Sequence, residues 1–244
     1  MGGRIINKPA SDRNRLALPR IGTIKIGMKK QGREGKEYPV SVDYFIADGK
    51  YAGLFTKAYG EKPQTIQIVF PDDDAEKVCR ERYEYRNDQG DLIASGDGET
   101  FEVWDGKKYQ TLKTEQYPNL MHSVETRYPN KLYQRTGEGW QIILTLNFII
   151  PCVRGVAGVW QFSTKGTAST IPQIRDVFDE MKERRGFVKN IIFDMNVKFA
   201  KSQKPGDNSR YPVVSIVPNE SEDNIRKIKE AYKPVKLIEN NAEQ

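Results

Sequence analysis

Between residues 190 and 217 the apolar side chains recur at every second position: Ile191, Phe193, Met195, Val197 and Phe199, then a β-branched run from Tyr211 through Val213, Val214, Ile216 and Val217. A two-residue period sends alternate side chains to opposite faces, which suits a half-buried strand and not a helix. The same signal returns throughout the chain, and it limits the fold more than any motif does. Ile24, Ile26 and Met28 share one face of a strand, Tyr38–Ile46 forms a second, and Ile66, Ile68 and Phe70 alternate before Pro71. Cys79, Tyr83 and Tyr85 alternate with Arg80, Arg82 and Arg86 ahead of an Asn87-Asp88-Gln89-Gly90 turn, and Gly96-Asp97-Gly98 closes the return strand. Asp105-Gly106 between two alternating segments predicts a two-residue hairpin turn. Residues 140–150 have the β-branched density of a buried strand that ends at Pro151.

Helical signals are few. Tyr51–Gly60 predicts a short helix closed by its glycine. Thr170-Ile171-Pro172-Gln173 fits a helix start with proline in the first turn, and Ile171, Ile174, Phe178 and Met181 then share one face. Ser221 followed by Glu222 and Asp223 caps a last helix with an Ile225, Ile228, Tyr232 stripe. The fold class is therefore α+β: strand-rich, mostly antiparallel sheets and hairpins, with two or three packed helices. A basic arm over 1–20, a single compact body over 21–237 and a frayed end over 238–244 are the expected divisions.

The net charge of +6 is unevenly spread: residues 1–37 hold ten basic side chains against three acids. A basic end on a near-neutral body is the electrostatic footprint of contact with nucleic acid or an acidic partner, and equally that of a solvated tail. Arg13, Arg15, Arg20, Lys29, Lys30 and Arg33 carry that charge, and Lys201, Lys204 and Arg210 form a second basic group in a predicted late hairpin loop. No apolar run is long enough to cross a membrane, and residues 1–15 carry no apolar leader core.

The chemistry expected of an enzyme is hard to assemble. Lys165 precedes Gly166 where a phosphate loop needs glycines ahead of the lysine, so residues 160–181 read as a strand–helix junction. Cys79 and Cys152 are far apart and read as reduced, partly buried thiols, and the single His122 leaves no zinc set and no histidine-based triad in reach. Asp72-Asp73-Asp74 after Pro71 reads as a turn or cap, although Asp43, Asp72, Asp73, Glu81 and Asp97 are the acids a Mg²⁺-dependent phosphate-ester hydrolase would draw on. Tyr83, Tyr85 and Tyr211 beside arginines suit stacking on unpaired bases, as in a single-stranded DNA-binding or annealing protein, and suit cross-strand packing equally. No catalytic residue, metal or cofactor is expected.

The order and spacing of Tyr38-Pro39, Asp43-Tyr44-Phe45, Tyr59-Gly60-Glu61-Lys62-Pro63, Phe70-Pro71-Asp72-Asp73, Glu81-Arg82-Tyr83, Gly96-Asp97-Gly98, Trp160-Gln161-Phe162 and Thr164-Lys165-Gly166 resemble those of the phage recombination directionality factor-like family over about residues 21–217. The resemblance implies a non-catalytic protein of the bacterial host cytoplasm that binds a large serine integrase on DNA and turns it towards excision. It implies no membrane partner, and contact with DNA either directly or through the integrase. Arg13, Arg15, Arg20, Lys29, Lys30, Arg33, Lys165, Lys201, Lys204 and Arg210 are the candidate DNA- or partner-binding residues. The oligomeric state is left open.

Overall fold

The computed structural model describes residues 18–32, 35, 37–131, 139–203 and 205–219. Arg13, Arg15, Arg33, Lys204, most of the expected arm, the helix expected from Ser221 and the expected frayed end all lie outside the described residues.

Eleven strands and four helices occupy the described chain. The strands are β1 (Arg20–Gln31), β2 (Glu37–Asp48), β3 (Thr65–Val69), β4 (Cys79–Arg86), β5 (Leu92–Gly96), β6 (Thr100–Trp104), β7 (Tyr109–Lys113), β8 (Gln141–Phe148), β9 (Val159–Thr164), β10 (Ile192–Lys201) and β11 (Arg210–Pro218). The helices are α1 (Ala52–Tyr59), the single turn α2 (Ala75–Val78), α3 (Leu120–Arg127) and α4 (Thr170–Arg185). Eight strands form one sheet in the order β2-β1-β9-β8-β4-β5-β6-β7, and three form a second in the order β11-β10-β3. Every pairing is antiparallel except β1 with β9, so the fold is strand-rich α+β with mostly antiparallel sheets.

Alternation decides which faces meet. Ile66, Ile68 and Phe70 of the β3 segment, Phe193 and Met195 of β10, and Leu144, Leu146 and Phe148 of β8 are fully buried in one core with the Ile171, Ile174, Phe178 stripe of α4. Phe70 meets Phe178 and Phe193 edge-on, with ring centroids 5.3 and 5.4 Å apart. Each such phenylalanine contributes about 1.5–3 kcal/mol by leaving water. A second core lies under β5–β7, where Tyr85, Ile93, Phe101 and Val103 pack against Leu120 and Val124 of α3. Gly22 lies opposite Trp160 in the β1–β9 register, and a Cβ there would collide with the indole ring, so only glycine allows the strands to approach.

Three local expectations need correction. The pairing Trp104↔Tyr109 leaves four residues in the β6–β7 loop, not two, because the Asp105 carboxylate accepts the N–H groups of Lys107 and Lys108 and so stabilises the wider turn. Ser169, not Thr170, holds the N-cap position of α4 and makes no side-chain capping bond, while the hydroxyl of Thr170 is buried and accepts the N–H of Val214 on β11. Cys152 is exposed and not partly buried, because it follows Pro151 in the turn after β8. In addition, Arg20 already belongs to β1 and not to an arm.

Candidate functional site

Two hairpins run past the strands that flank them. Strand β9 accompanies β1 only over Arg20–Ile24, and β3 accompanies β10 only over Ile192–Asn196. Beyond those limits β1–β2 and β10–β11 continue as two-stranded ribbons: Val42, Val197, Val213 and Val214 are still buried, and only the far ends, Met28–Gln31 with Glu37–Pro39 and the Lys198, Phe199, Lys201, Arg210 and Tyr211 end, are exposed. Between them, β2 bulges by three residues: Ile26 stands where the partner strand has Val42 to Phe45. The bulge turns the Phe45 N–H onto the carbonyl of Pro63 at 2.8 Å and Asp43 onto Gln64 at 3.0 Å, while Lys62 lies over the Tyr44 ring. The carbonyl of Gln64 then accepts the Val197 N–H of β10 at 2.9 Å. The segments Asp43-Tyr44-Phe45 and Tyr59–Pro63 thus form the joint between the two sheets.

The ribbons carry several of the expected basic residues. On β1, Lys29 pairs with Glu37 at 3.0 Å, Lys30 is exposed, and Arg20 donates to Gln161 at 2.9 Å. On the second ribbon Lys201 stands directly opposite Arg210. Like charges in that position repel, a cost an anionic neighbour would relieve. The register puts Phe199, 37 % exposed, on the face shared by Lys201 and Arg210, and Tyr211, 38 % exposed, on the other beside Lys198. Lys198 carried no signal in the sequence, and Phe199 looked like the last core residue of its stripe; β3 stops short of it and leaves it solvent-facing. Lys165 is exposed in the strand–helix junction, where its carbonyl accepts the Thr167 N–H.

The three stacking tyrosines separate. Tyr85 is 2 % exposed, its hydroxyl donating to the Tyr128 carbonyl at 2.9 Å, so it offers no face to a base. Tyr83 is half-buried beside Phe101. Cross-strand packing takes both, and Tyr211 alone keeps an exposed ring.

A cleft of about 390 Å³ opens between α2, β4, the β5–β6 turn and α4. Two arginines in it are each held by two carboxylates. Arg82 contacts Glu76 at 2.6 Å and Asp97 at 3.7 Å, and Arg175 contacts Glu81 at 2.7 Å and Asp179 at 3.8 Å. Arg82 Nε is buried without an acceptor, so its terminal nitrogens alone fix the guanidinium. Burial, and then the negative charge of Asp179, pushes the Cys79 thiol lining this cleft up to about 12, which keeps it protonated and unreactive. Glu81, Arg82 and Asp97 come from the segments that carried the family resemblance. Glu76, Arg175 and Asp179 were missed, although Arg175 and Asp179 stand four apart on the polar face of α4.

The remaining acids serve turns. Asp74 caps α2, and Asp72 pairs with Lys77 at 3.2 Å. Asp73 accepts the N–H groups of Val188 and Lys189 at 2.7 and 2.8 Å. Among the described residues no group of three or more His, Cys, Asp or Glu side chains is placed to hold a metal ion. His122 is exposed on α3. No described helix is long and apolar enough to cross a membrane.

A family model described as Gp3-like, recombination directionality factor-like, matches residues 21–219. No curated protein and no solved structure matches the chain.

Proposed function

We infer from one premise, that this chain belongs to the recombination directionality factor-like family, that it is a non-catalytic accessory protein which binds a serine integrase on its DNA sites and favours excision. The match over residues 21–219 is the observation that carries this reading. The ribbons add support, because they present apolar and cationic groups together. Phe199 beside the opposed Lys201 and Arg210 suits a protein face that lies next to phosphates. Arg20, Lys29, Lys30 and Lys165 are the other described candidates for that contact.

Such a protein works by preference. An accessory factor moves a two-state equilibrium only as far as it binds one integrase–DNA arrangement more tightly than the other. A shift from 1:99 to 99:1 asks for a preference of about 10⁴-fold. The bond breaking and joining stay with the integrase.

The test is a recombination assay with the purified chain, the serine integrase encoded nearest to its gene, and plasmids carrying the paired attachment sites. Excision product that rises with added chain, together with a supershift of the integrase–DNA complex, is the expected result. Lys201→Glu with Arg210→Glu lowers both. A product ratio that the chain leaves unchanged, with no supershift, overturns the reading. Strong binding to single-stranded DNA without the integrase turns the choice to a replication protein, and metal-dependent turnover of a phosphate ester turns it to a hydrolase.

A further inference from the structure

The open edges of the two sheets are not equally protected. Edge strand β2 contains Pro39 and the three-residue bulge, and β11 contains Pro212 and Pro218. Strand β3 runs between Pro63 and Pro71, and Val69 bridges to Ile149 on its free side. Proline, bulges, cover and charged side chains are the usual means of keeping an edge from adding another strand, and of these β7 carries Lys113 alone. Strand β7, Tyr109-Gln110-Thr111-Leu112-Lys113, has no proline and no bulge, and among the described residues it pairs with β6 alone.

The ladder defines which of its groups are free. Asp105 N–H bonds the Lys108 carbonyl and Thr114 N–H bonds the Glu99 carbonyl, so Gln110 and Leu112 direct their backbone groups to β6. Tyr109, Thr111 and Lys113 direct theirs outward. The Lys113 carbonyl is taken by the N–H groups of Gln116 and Tyr117. Among the described residues, what is left is an outward N–H and C=O on Tyr109, the same on Thr111, and the N–H of Lys113.

We propose that two copies of this chain pair antiparallel along β7 about a two-fold axis at Thr111. Thr111 then exchanges two hydrogen bonds with its counterpart, and each Lys113 N–H reaches the Tyr109 carbonyl of the other copy, the one acceptor its own taken carbonyl does not require. The same operation sets Lys113 beside the exposed Tyr109 ring, a cation–π pair made twice. It brings Lys107 of each copy opposite Glu115 of the other, in the loops just beyond the strand ends. On the α3 side, Gln110 meets Leu112, so the apolar groove of about 380 Å³ lined by Val103, Leu112, Tyr117, Leu120 and Val124 abuts its symmetry mate. An axis through the strand uses the same edge in both copies, so the assembly closes at two.

Sedimentation velocity of the full chain over micromolar to 100 µM concentrations tests this. A species of twice the chain mass is expected, and Thr111→Pro abolishes it, because that N–H serves the outer edge and not β6, while far-ultraviolet circular dichroism stays native. Lys107→Glu and Glu115→Lys each raise the dimer Kd about two- to thirtyfold, and the double exchange restores it. That pair of variants decides the matter should Thr111→Pro fail to fold. A monomer throughout the range, a dimer unaffected by Thr111→Pro, or a double exchange that does not restore pairing overturns the proposal. A monomer whose integrase supershift is lost in Thr111→Pro overturns it also, and assigns the edge to a strand of the integrase.

Discussion

Replacing Thr170 by valine isolates one buried hydrogen bond. The Thr170 side chain is 2 % exposed and its hydroxyl accepts the N–H of Val214, itself fully buried, at 3.1 Å. That bond ties the first turn of α4 to the outer side of β11 and satisfies a donor that β10 does not reach. Valine nearly matches threonine in volume and leaves the donor orphaned. A buried unpaired donor costs about 1–3 kcal/mol, and the added methyl offsets roughly 0.8 kcal/mol of it. The net loss is therefore about 0.2–2 kcal/mol, or up to roughly 8 °C in Tm for a chain of this length. Thr170→Ser keeps the acceptor and loses only a methyl. Urea unfolding of both variants, with hydrogen exchange at the Val214 amide, separates the effects: exchange accelerates in Thr170→Val and not in Thr170→Ser. A Thr170→Val protein as stable as Thr170→Ser, with its Val214 amide still slow, would refute the reasoning and leave the apolar stripe of α4 as its sole anchor.

Gly22→Ala drives a methyl into the Trp160 ring between β1 and β9, and a loss of roughly 1–3 kcal/mol in urea unfolding is expected. Native protein should release one thiol equivalent to a chromogenic disulfide reagent, from the exposed Cys152, and two after unfolding, because Cys79 is buried with its thiol pushed up to about 12. For Asp97, burial works to raise the pKa but is outweighed by the N–H groups of Thr100 and Glu99 and by the Arg82 charge, so it lies below the ordinary 3.8. A folded pKa lowered in this way stabilises at pH above the ordinary value and is lost as pH falls through the folded one. Asp97→Asn should therefore flatten the acid limb of a stability–pH curve, and an unaltered limb counts against the Asp97 contacts. Lys201→Glu alone should relieve the repulsion with Arg210 and leave Tm unchanged or slightly higher, while weakening any contact with DNA.

The strands were legible because their alternation is local: every residue needed to recognise β3, β8 or β10 lies within the strand. The pairing of β1 with β9 was not, since nothing near Gly22 indicates that Trp160, far along the chain, is the ring it must accommodate. Helix α3 was missed because Leu120 and Val124 alone bear its buried face, too few to establish a period. Asp105 misled for a different reason. Its carboxylate competes with the backbone for the loop's N–H groups and selects a turn two residues longer, a choice made by hydrogen bonds that the dipeptide does not display. The cleft shows the same limit: Glu81, Arg82 and Asp97 stood out as parts of family segments, but that Arg175 meets Glu81 depends on how α4 crosses the sheet.

That crossing order also has a cost in time. Hairpin β1–β2 leaves the ribosome before the other described strands, yet its place in the eight-stranded sheet is filled only when β9 arrives, since Gly22 and Thr23 are registered against Trp160 and Gln161. At about 5–20 residues per second the wait is roughly 7–30 s. During it the inner edge of β1 stays unpaired in water, and the loop that must close is one of the longest among the described strands. Folding should therefore be slow for a domain of this size, with β1–β9 closure as its late step.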